Sequence, residues 1–258
     1  MRARIRFSKL GKIRFTSHRD LARVWERALR RAELPVAYSQ GFSPHPKLHF
    51  GLALSTGHES VAEYLDVDLV PGPGTAVDVA ALPARLAPGL PPGVDVQAAA
   101  ALPEGAPSLQ QAVTSCTWSI EVAGASTPTV ADAVERLLGA KEARLRRERK
   151  GKAVTDDVRP AVLDLGVSGP GPSGAEATTS LLAHLATQPR GLRPGELVAA
   201  LSSCMPTSPA GAATGAGAGL AEVRVCRLSQ WIERDGAREE PLPLPAATSA
   251  PHARMRAS

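Results

Sequence analysis

The alternation of apolar and polar residues predicts a strand followed by a helix at the start of the chain. Residues 2–7, "RARIRF", alternate arginine with apolar side chains, a period-two pattern typical of a half-buried strand. Residues 16–34, "TSHRDLARVWERALRRAEL", place apolar residues three and four apart, as an amphipathic helix does. Ser17 or Thr16 can cap its first turn. Two strands, a weaker helix and a last strand are predicted next, at 48–54, 62–69, 75–87 and 94–100.

The second half of the chain repeats this order of elements. Strands and helices are predicted at 116–124, 127–140, 143–150, 158–169, 193–203 and 221–233, with a further strand-like run at 180–188. Two successive βαββαβ units predict an α+β fold of two tandem ferredoxin-like domains, each an open antiparallel sheet with two helices on one face. The predicted divisions are a first domain at 1–100, a linker at 101–113, a second domain at 114–235 and a disordered tail at 236–258.

The net charge of +5 is unevenly distributed along the 258 residues. Residues 1–31 carry eleven basic and two acidic side chains, and residues 141–152 carry seven basic and two acidic ones. Two basic segments on an otherwise acidic chain favour a surface that binds a polyanion, although solvated strand and helix faces would give the same count. The aromatic content of 3% leaves few rings for stacking on bases.

The cysteine pattern excludes several classes of cofactor. Cys116, Cys204 and Cys226 are far apart in sequence, so we expect no zinc ribbon or iron–sulfur cluster held by this chain alone, and no other bound cofactor. The six histidines lack a recurrent ligand spacing, so no metal site is expected. Few cysteines, no apolar run near 18 residues and a charged first segment predict a cytoplasmic protein without membrane contact.

The stretch "SHRD" at the start of the first predicted helix is a candidate anion site. The unpaired N–H groups and the partial positive charge of a helix N-terminus stabilise an anion. Arg14, His18 and Arg19 surround that position. In the alternative interpretation, Ser17 only caps the helix and His18 is an ordinary exposed residue of its first turn.

Residues 41–51, "GFSPHPKLHFG", hold His45 between two prolines, with Lys47 just behind. Proline restricts its own φ angle and the residue before it, so this loop is stiff. If residues 35–39 form the second strand, His45 and Lys47 lie at the same end of the sheet as His18. If residues 48–54 form it, they lie at the opposite end. The pattern leaves both possibilities open. A third possibility is that the loop is only the stiff start of a strand and has no chemical role.

The first strand raises a related question about the sheet face that carries no helices. The three arginines of residues 2–7 should project from this open face, where guanidinium groups suit phosphate or carboxylate. The pattern of residues 62–69 puts Tyr64, Asp66 and Asp68 on the same face. A cross-strand ladder of arginine and aspartate would neutralise that patch.

A second basic element lies in the predicted second domain. Arg149, Lys150 and Lys152 flank Gly151, where the backbone can approach an anion closely, and Arg159 precedes a proline that holds it extended. These four basic residues are candidate anion-binding residues. A basic hairpin tip that is only solvated is the alternative.

The stretches "KIRFTSHRDLARVWERALRRAELPVAYSQGFSPHPKLHFGLAL…ESVAEYLDVDL" and "RRERKGK…DDVRP" resemble the radical SAM-linked protein family, a domain of unknown function. Its members occur alone or fused behind B12-binding radical SAM proteins, and the resemblance covers most of residues 1–235. It implies a radical SAM partner that supplies the iron–sulfur cluster. The family pattern falls on Ser17, His18, Arg19, Asp20, Gly41, Phe42, Pro44, Pro46, Glu63, Tyr64, Asp66, Lys150, Gly151, Lys152, Arg159 and Pro160.

These observations predict a non-catalytic accessory protein of a radical SAM enzyme that binds an anionic substrate, foremost RNA, for modification. One alternative is a metal-independent endoribonuclease with His18 or His45 as general acid and base, helped by Tyr38 or Lys47. The other alternative is a module that binds only proteins.

Overall fold

The computed structural model divides the chain into two compact units. It describes residues 1–70, 72, 76–149, 151–171, 178–206 and 219–244, and only the backbone at 148, 149 and 152. Unit 1 consists of Met1–Val113 with Gln230–Ser258, and unit 2 of Thr114–Ser229. The predicted linker at 101–113 is therefore part of unit 1, where its residues include the end of a strand and a short helix.

Unit 1 is a mixed α/β unit whose elements follow the order β-α-β-β-α-β. Its main elements are β1 (Arg2–Lys9), α1 (His18–Arg31), β2 (Leu48–Phe50), β3 (Glu59–Asp68), α2 (Leu82–Leu86), β4 (Val96–Leu102) and α3 (Leu109–Ala112). Strand β1 lies between β4 and β3, and β2 pairs with β3; all three pairings are antiparallel.

Unit 2 contains antiparallel sheet strands and a separate hairpin. Its elements are β5 (Val113–Ala123), α4 (Thr127–Gly139), β6 (Arg144–Arg149), β7 (Lys152–Asp157), β8 (Val162–Pro170), β9 (Thr178–Ala186) and α5 (Pro194–Ser203). Strand β10 (Ala221–Arg234) lies beside β5, and the order continues to β9 and β8. Strands β6 and β7 pair only with each other, so the basic hairpin is separate from the main sheet.

Helix α1 forms as its sequence pattern predicts. The Ser17 hydroxyl accepts a hydrogen bond from the N–H of Asp20 at 3.2 Å, which caps the first turn. The apolar stripe of the helix is buried, and Trp25 packs edge-on against Phe7 of β1 with ring centroids 4.8 Å apart. The core of unit 1 therefore lies between α1 and one face of the sheet.

The opposite face of this sheet carries the Arg–Asp ladder that the alternation allows. Arg2 lies opposite Asp68 and Arg4 opposite Asp66. Arg2 Nε donates to Asp68 at 2.6 Å, and Arg4 makes two hydrogen bonds to Asp66 at 2.8 and 2.9 Å. Arg6 forms an ion pair with Glu240. All three guanidinium groups are thus paired with acidic side chains of the same chain.

The predicted disordered tail is wrong for its first nine residues, 236–244. Asp235 and Gly236 both have positive φ, 51° and 77°, and form the two-residue turn of a hairpin between β10 and β11 (Ala237–Glu239). Glu240 then reaches Arg6, 234 residues away along the chain. Residues 245–258 lie outside the described part of the chain.

The Arg2–Asp68 pair should stabilise unit 1 in a pH-dependent way. Burial alone would raise the pKa of Asp68, but hydrogen bonds from Arg2 and His49 outweigh it and lower that pKa. A carboxyl with a lowered folded-state pKa stabilises the fold above its ordinary pKa near 4, and that stability is lost as pH falls through the folded value. We expect Asp68→Asn to cost up to about 1 kcal/mol at pH 7, because the pair is partly exposed.

Urea unfolding of the wild type and of Asp68→Asn at pH 7 and pH 3 measures this effect. The difference between the two proteins should shrink towards zero at pH 3. A difference that is equal at both pH values would contradict the assignment.

Candidate functional site

A small cleft lies at the start of α1, where the two long sequence motifs of unit 1 meet. It encloses about 20 Å³ before it opens to solvent, room for roughly one water molecule. Its lining residues come from β1, α1, β3 and the segment around β2: Lys9, His18, Leu21, Phe50, Gly51, Leu52, Leu54 and Glu63. The cleft is the place in the described structure where "SHRD" and "LHFGLAL" come together.

Strand β2 brings the second motif to the helix. Phe50 lies opposite Leu65 in the antiparallel pairing with β3, and its ring meets the ring of His18 edge-on at 4.9 Å between centroids. Gly51 follows, with its N–H donating to the carbonyl of Tyr64 at 2.9 Å. A Cβ at this glycine would lie 3.3 Å from the same oxygen, so the close approach of the two chain segments favours glycine.

A buried lysine forms the floor of the cleft. Lys9 is 2% exposed, and its Nζ donates to the carbonyls of Arg14 and Thr16 at 3.3 and 3.0 Å. Burial lowers the pKa of Lys9, and the charge of Glu63 partly offsets that effect. An ammonium and a carboxylate therefore face the cleft, and His18 is exposed at its mouth.

Of the cations predicted around the helix start, Arg14 is held by internal partners. Its guanidinium lies 3.5 Å from the carboxylate of buried Glu59 and 4.5 Å above the ring of Phe15, and it donates to the carbonyl of Gly11 at 3.3 Å. Arg19 is exposed on the outer side of α1. Arg19 and His18 are thus accessible at the helix start, whereas the guanidinium of Arg14 is used in contacts within the protein.

The structure decides where the stiff loop 41–51 lies. Because Leu48–Phe50 is the strand that pairs with β3, Lys47 lies next to Asp68, whereas Lys9 at the start of α1 lies opposite Ser60. The loop is therefore at the opposite end of β3 from the helix start. His45 and Lys47 are exposed there, and His45 does not join His18.

The segment before the loop contributes only isolated pairings. Val36 bridges to Leu69, and Tyr38 bridges to Pro46, which keeps exposed Tyr38 beside the loop. The backbone N–H of His45 donates to the Ser39 hydroxyl at 3.0 Å. These contacts stiffen the loop without burying its side chains.

In unit 2, the guanidinium of Arg159, a predicted anion-binding residue, is bonded to backbone carbonyls. Its Nε and Nη2 donate to the carbonyl of Leu138 at 3.2 and 2.9 Å, and its Nη1 donates to Val162 at 3.0 Å. The guanidinium therefore satisfies the C-terminal end of α4, where helix carbonyls lack partners. The preceding Asp157 accepts the N–H groups of Ala143 and Arg159, which lowers its pKa.

The other predicted residues of the second element cannot be placed as side chains. Lys150 lies outside the described residues, and for Arg149 and Lys152 only the backbone is described, at the facing ends of β6 and β7. On the described part of β6, Arg144 and Arg146 are exposed, and Arg147 lies 3.2 Å from Glu196.

The outer face of α1 carries a row of arginines that the sequence reasoning counted but did not place. Arg19, Arg23, Arg27 and Arg30 are exposed, with spacings of four, four and three residues. At 3.6 residues per turn they fall within an arc of about 80° and extend over roughly 16 Å. Arg23 lies 3.3 Å from Asp20, and within the described structure the other three have no acidic partner. Their spacing is the signal that could have identified this arginine face.

Other chemistries find no support in the described residues. No group of three or more His, Cys, Asp or Glu side chains is arranged there to hold a metal ion. Burial raises the pKa of the Cys204 thiol, which disfavours a reactive thiolate. No described helix combines the length and the apolar character needed to cross a bilayer.

Comparison with known proteins identifies one family. A family model described as an uncharacterised protein conserved in bacteria, DUF2344, matches residues 2–194. The matched range contains the cleft, the arginine face of α1 and the β6–β7 hairpin. No curated protein matches the chain. Because the match covers most of the sequence, this protein belongs to the DUF2344 family of uncharacterised bacterial proteins.

Proposed function

We propose that this protein is a non-catalytic accessory protein that binds RNA through the arginine face of α1 and presents it to a radical SAM enzyme. The arginine face is the observation that carries the proposal. Its guanidinium groups are exposed, while those on β1 are neutralised by acids. A phosphate strand that follows the helix could meet several of them in succession.

The chemistry of this face favours phosphate over other groups. Guanidinium groups donate in a planar fork that matches phosphate oxygens, and such charge-assisted hydrogen bonds are stronger than neutral ones. The partial positive charge at the start of α1 adds to the attraction near Arg19. With 3% aromatic residues, the protein has few rings to read bases, so the contacts should be mainly to the backbone and only weakly sequence-specific.

The fold supports the same role. Both strand orders, β4-β1-β3-β2 and β10-β5-β9-β8, are compatible with ferredoxin-like units, which we infer for each half. RNA-recognition motifs of related topology use the sheet face that carries no helices. In unit 1 that face is occupied by ion pairs, so the arginines of α1 take the place of an aromatic platform in this proposal.

The radical SAM connection rests on the resemblance of the motifs described above. In the proposed complex the partner supplies the iron–sulfur cluster, this chain binds no cofactor of its own, and both act in the cytoplasm. The separation of the three cysteines in sequence is consistent with a cluster held elsewhere.

Salt dependence tests the proposal. If three or four phosphates are neutralised, log K for single-stranded RNA should fall with log salt at a slope of about −2 to −3. Filter binding of a labelled single-stranded RNA measures this slope. The salt concentration is varied from about 50 to about 300 mM, where phosphate contacts weaken steeply. A flat response, or no retention of RNA at the lowest salt, would contradict RNA binding.

The endoribonuclease alternative has a separate test. The same labelled RNA, incubated with the pure protein in EDTA, should remain intact. Cleavage that is abolished by His18→Ala or His45→Ala would instead support histidine acid–base catalysis. A radical SAM partner that copurifies after nuclease treatment and high salt, without any RNA affinity, would favour the protein-binding alternative.

A further inference from the structure

The sheet face of unit 1 that carries no helices is covered by the C-terminal segment 237–243, here called the cover. Arg6, Tyr64 and Asp66 project from this face, yet they are only 3%, 1% and 2% exposed. Four residues of the cover line a pocket together with Arg4 of this face and the segment after β4: Glu239, Glu240, Pro241 and Pro243. A surface that could otherwise be open to solvent is therefore occupied by the chain itself.

Glu240 is the residue that anchors the cover. Its carboxylate accepts a hydrogen bond from Arg6 Nη1, and the carbonyl of Leu242 accepts from the same nitrogen at 3.1 Å. Arg6 Nε donates to the side chain of Gln97 at 3.3 Å, which fixes the guanidinium in place. The sheet thus presents a preformed carboxylate site, and Glu240 is its occupant within the chain.

The cover fits this face incompletely. A cavity of about 280 Å³, partly open to solvent, remains beside it. Its lining combines charged and apolar residues, among them Arg4, Arg234, Glu239, Glu240, Leu102, Pro107, Ile232 and Pro243. The hydroxyl of Tyr64 is buried and has no hydrogen-bond partner among the described residues. An unpartnered buried hydroxyl costs free energy, so an occupant that supplies a partner for it could bind this face better than the cover does.

The rest of the cover is more exposed than its anchor. Strand β11 has three residues, all exposed, and it pairs only with the end of β10. Glu239 lies 3.3 Å from Arg234, but both side chains are more than half exposed, and such pairs contribute little. The Arg6–Glu240 contact is therefore the buried anchor of the cover.

We propose that the cover is an exchangeable occupant, and that an acidic peptide segment of a partner protein competes with Glu240 for Arg6. The charges of the face select this class of ligand. Arg2 and Arg4 are balanced by Asp68 and Asp66, so release of Glu240 leaves a single net positive charge at Arg6. One carboxylate matches that charge, and apolar residues beside it can fill the cavity. This site is separate from the arginine face of α1, so the inference does not depend on RNA binding.

Weakening the anchor should make the site accessible in the full-length protein. The probe is a fluorescein-labelled peptide of sequence AREEPLPL, which reproduces residues 237–244, and its binding is followed by fluorescence anisotropy. Because a closed cover lowers the apparent affinity in proportion to the open fraction, Glu240→Gln should bind the peptide at least about ten-fold more tightly than the wild type. Glu239→Gln is the matched control and should behave as the wild type.

Two further variants keep the test decisive. Arg6→Gln added to Glu240→Gln should remove the gained affinity, because it deletes the guanidinium that receives the carboxylate. Glu240→Asp keeps the charge but shortens the side chain, so it should bind the peptide between wild type and Glu240→Gln, and it serves if the glutamine variant unfolds. Equal peptide binding by all variants, or binding that does not need Arg6, would overturn the proposal.

Tyrosine nitration gives an independent measure of the cover. The chain has two tyrosines, Tyr64 under the cover and Tyr38, which is 46% exposed. With tetranitromethane and mass spectrometry, Tyr64 should become several-fold more reactive in Glu240→Gln, while Tyr38 stays unchanged as an internal control. Unchanged protection of Tyr64 in a folded Glu240→Gln protein would show that the cover does not exchange.

Discussion

Replacing Arg19, Arg27 and Arg30 together by glutamine should weaken binding of single-stranded RNA about 100-fold at 0.1 M salt. These are the three arginines of the face that have no acidic partner within the described structure. Each lost phosphate contact removes about 0.7 from the salt slope, which corresponds to roughly five-fold in affinity at this salt concentration. The slope itself should therefore become shallower by about 2. Filter binding over a range of salt concentrations measures both quantities.

A variant with the same net charge is the control for this experiment. Lys12, Arg136 and Lys141 are also exposed, and none lies on α1. Replacing these three by glutamine lowers the net charge equally, so a general electrostatic attraction would weaken to the same extent in both variants. We expect the control to lose less than about five-fold, the effect of a single contact. Equal losses in the two variants would show that the α1 face is not the binding site.

Replacing Asp66 by asparagine should destabilise unit 1 by about 3–5 kcal/mol. Arg4 and Asp66 are 6% and 2% exposed as side chains and form a bidentate pair. Removal of one partner leaves the other charge buried without compensation, and that desolvation cost is larger than the net contribution of the intact pair. Urea unfolding followed by circular dichroism measures the change.

The neighbouring pair of the same ladder is the control for burial. Asp68→Asn breaks the neighbouring Arg–Asp pair, in which the side chains are 35% and 22% exposed, and it should cost no more than about 1 kcal/mol. The contrast between the two positions is the prediction. If Asp66→Asn cost as little stability as Asp68→Asn, solvent would have to reach Arg4, and the cover would not seal this part of the sheet.

The elements of unit 1 that depend on local patterns are the ones that could be predicted from sequence. The strand at β1, the helix at α1 and its cap at Ser17 follow from side-chain periodicity and from capping chemistry within four residues. The Arg–Asp ladder also follows, because alternation places residues 4 and 66 on the same face once their strands pair. The strand, the helix and its cap needed no knowledge of distant contacts, whereas the ladder also required the pairing of β1 with β3.

The position of the 41–51 loop needed the tertiary structure. Two segments, 35–39 and 48–54, were each suitable as the second strand, and β-propensity does not say which one β3 will pair with. The structure pairs β3 with Leu48–Phe50, and this choice separates His45 from His18 while it brings Phe50 to the cleft. Lys9 was missed as a cleft residue because its burial depends on carbonyl partners in the turn before α1.

The role of Arg159 shows the same limit. Its place before a proline correctly marks a restricted backbone, but the carbonyls that its side chain meets belong to Leu138 and Val162, on either side of the hairpin. A sequence pattern reports the charge of an arginine and not which acceptors will surround it. An arginine that caps a helix and one that binds phosphate therefore look alike at this level.

By itself, the sequence determined the strand and the helix at the start of unit 1 and the basic character of α1, because these depend on residues close together along the chain. Only the tertiary structure decided which charges remain available to a ligand. Arg6 forms an ion pair with Glu240, which is 234 residues away along the chain, and Arg14 lies close to Glu59 at the start of β3. The arginines of α1, by contrast, are exposed. The physical reason is that a charge is cancelled by whatever lies within a few ångströms in space, and sequence separation carries little information about that distance.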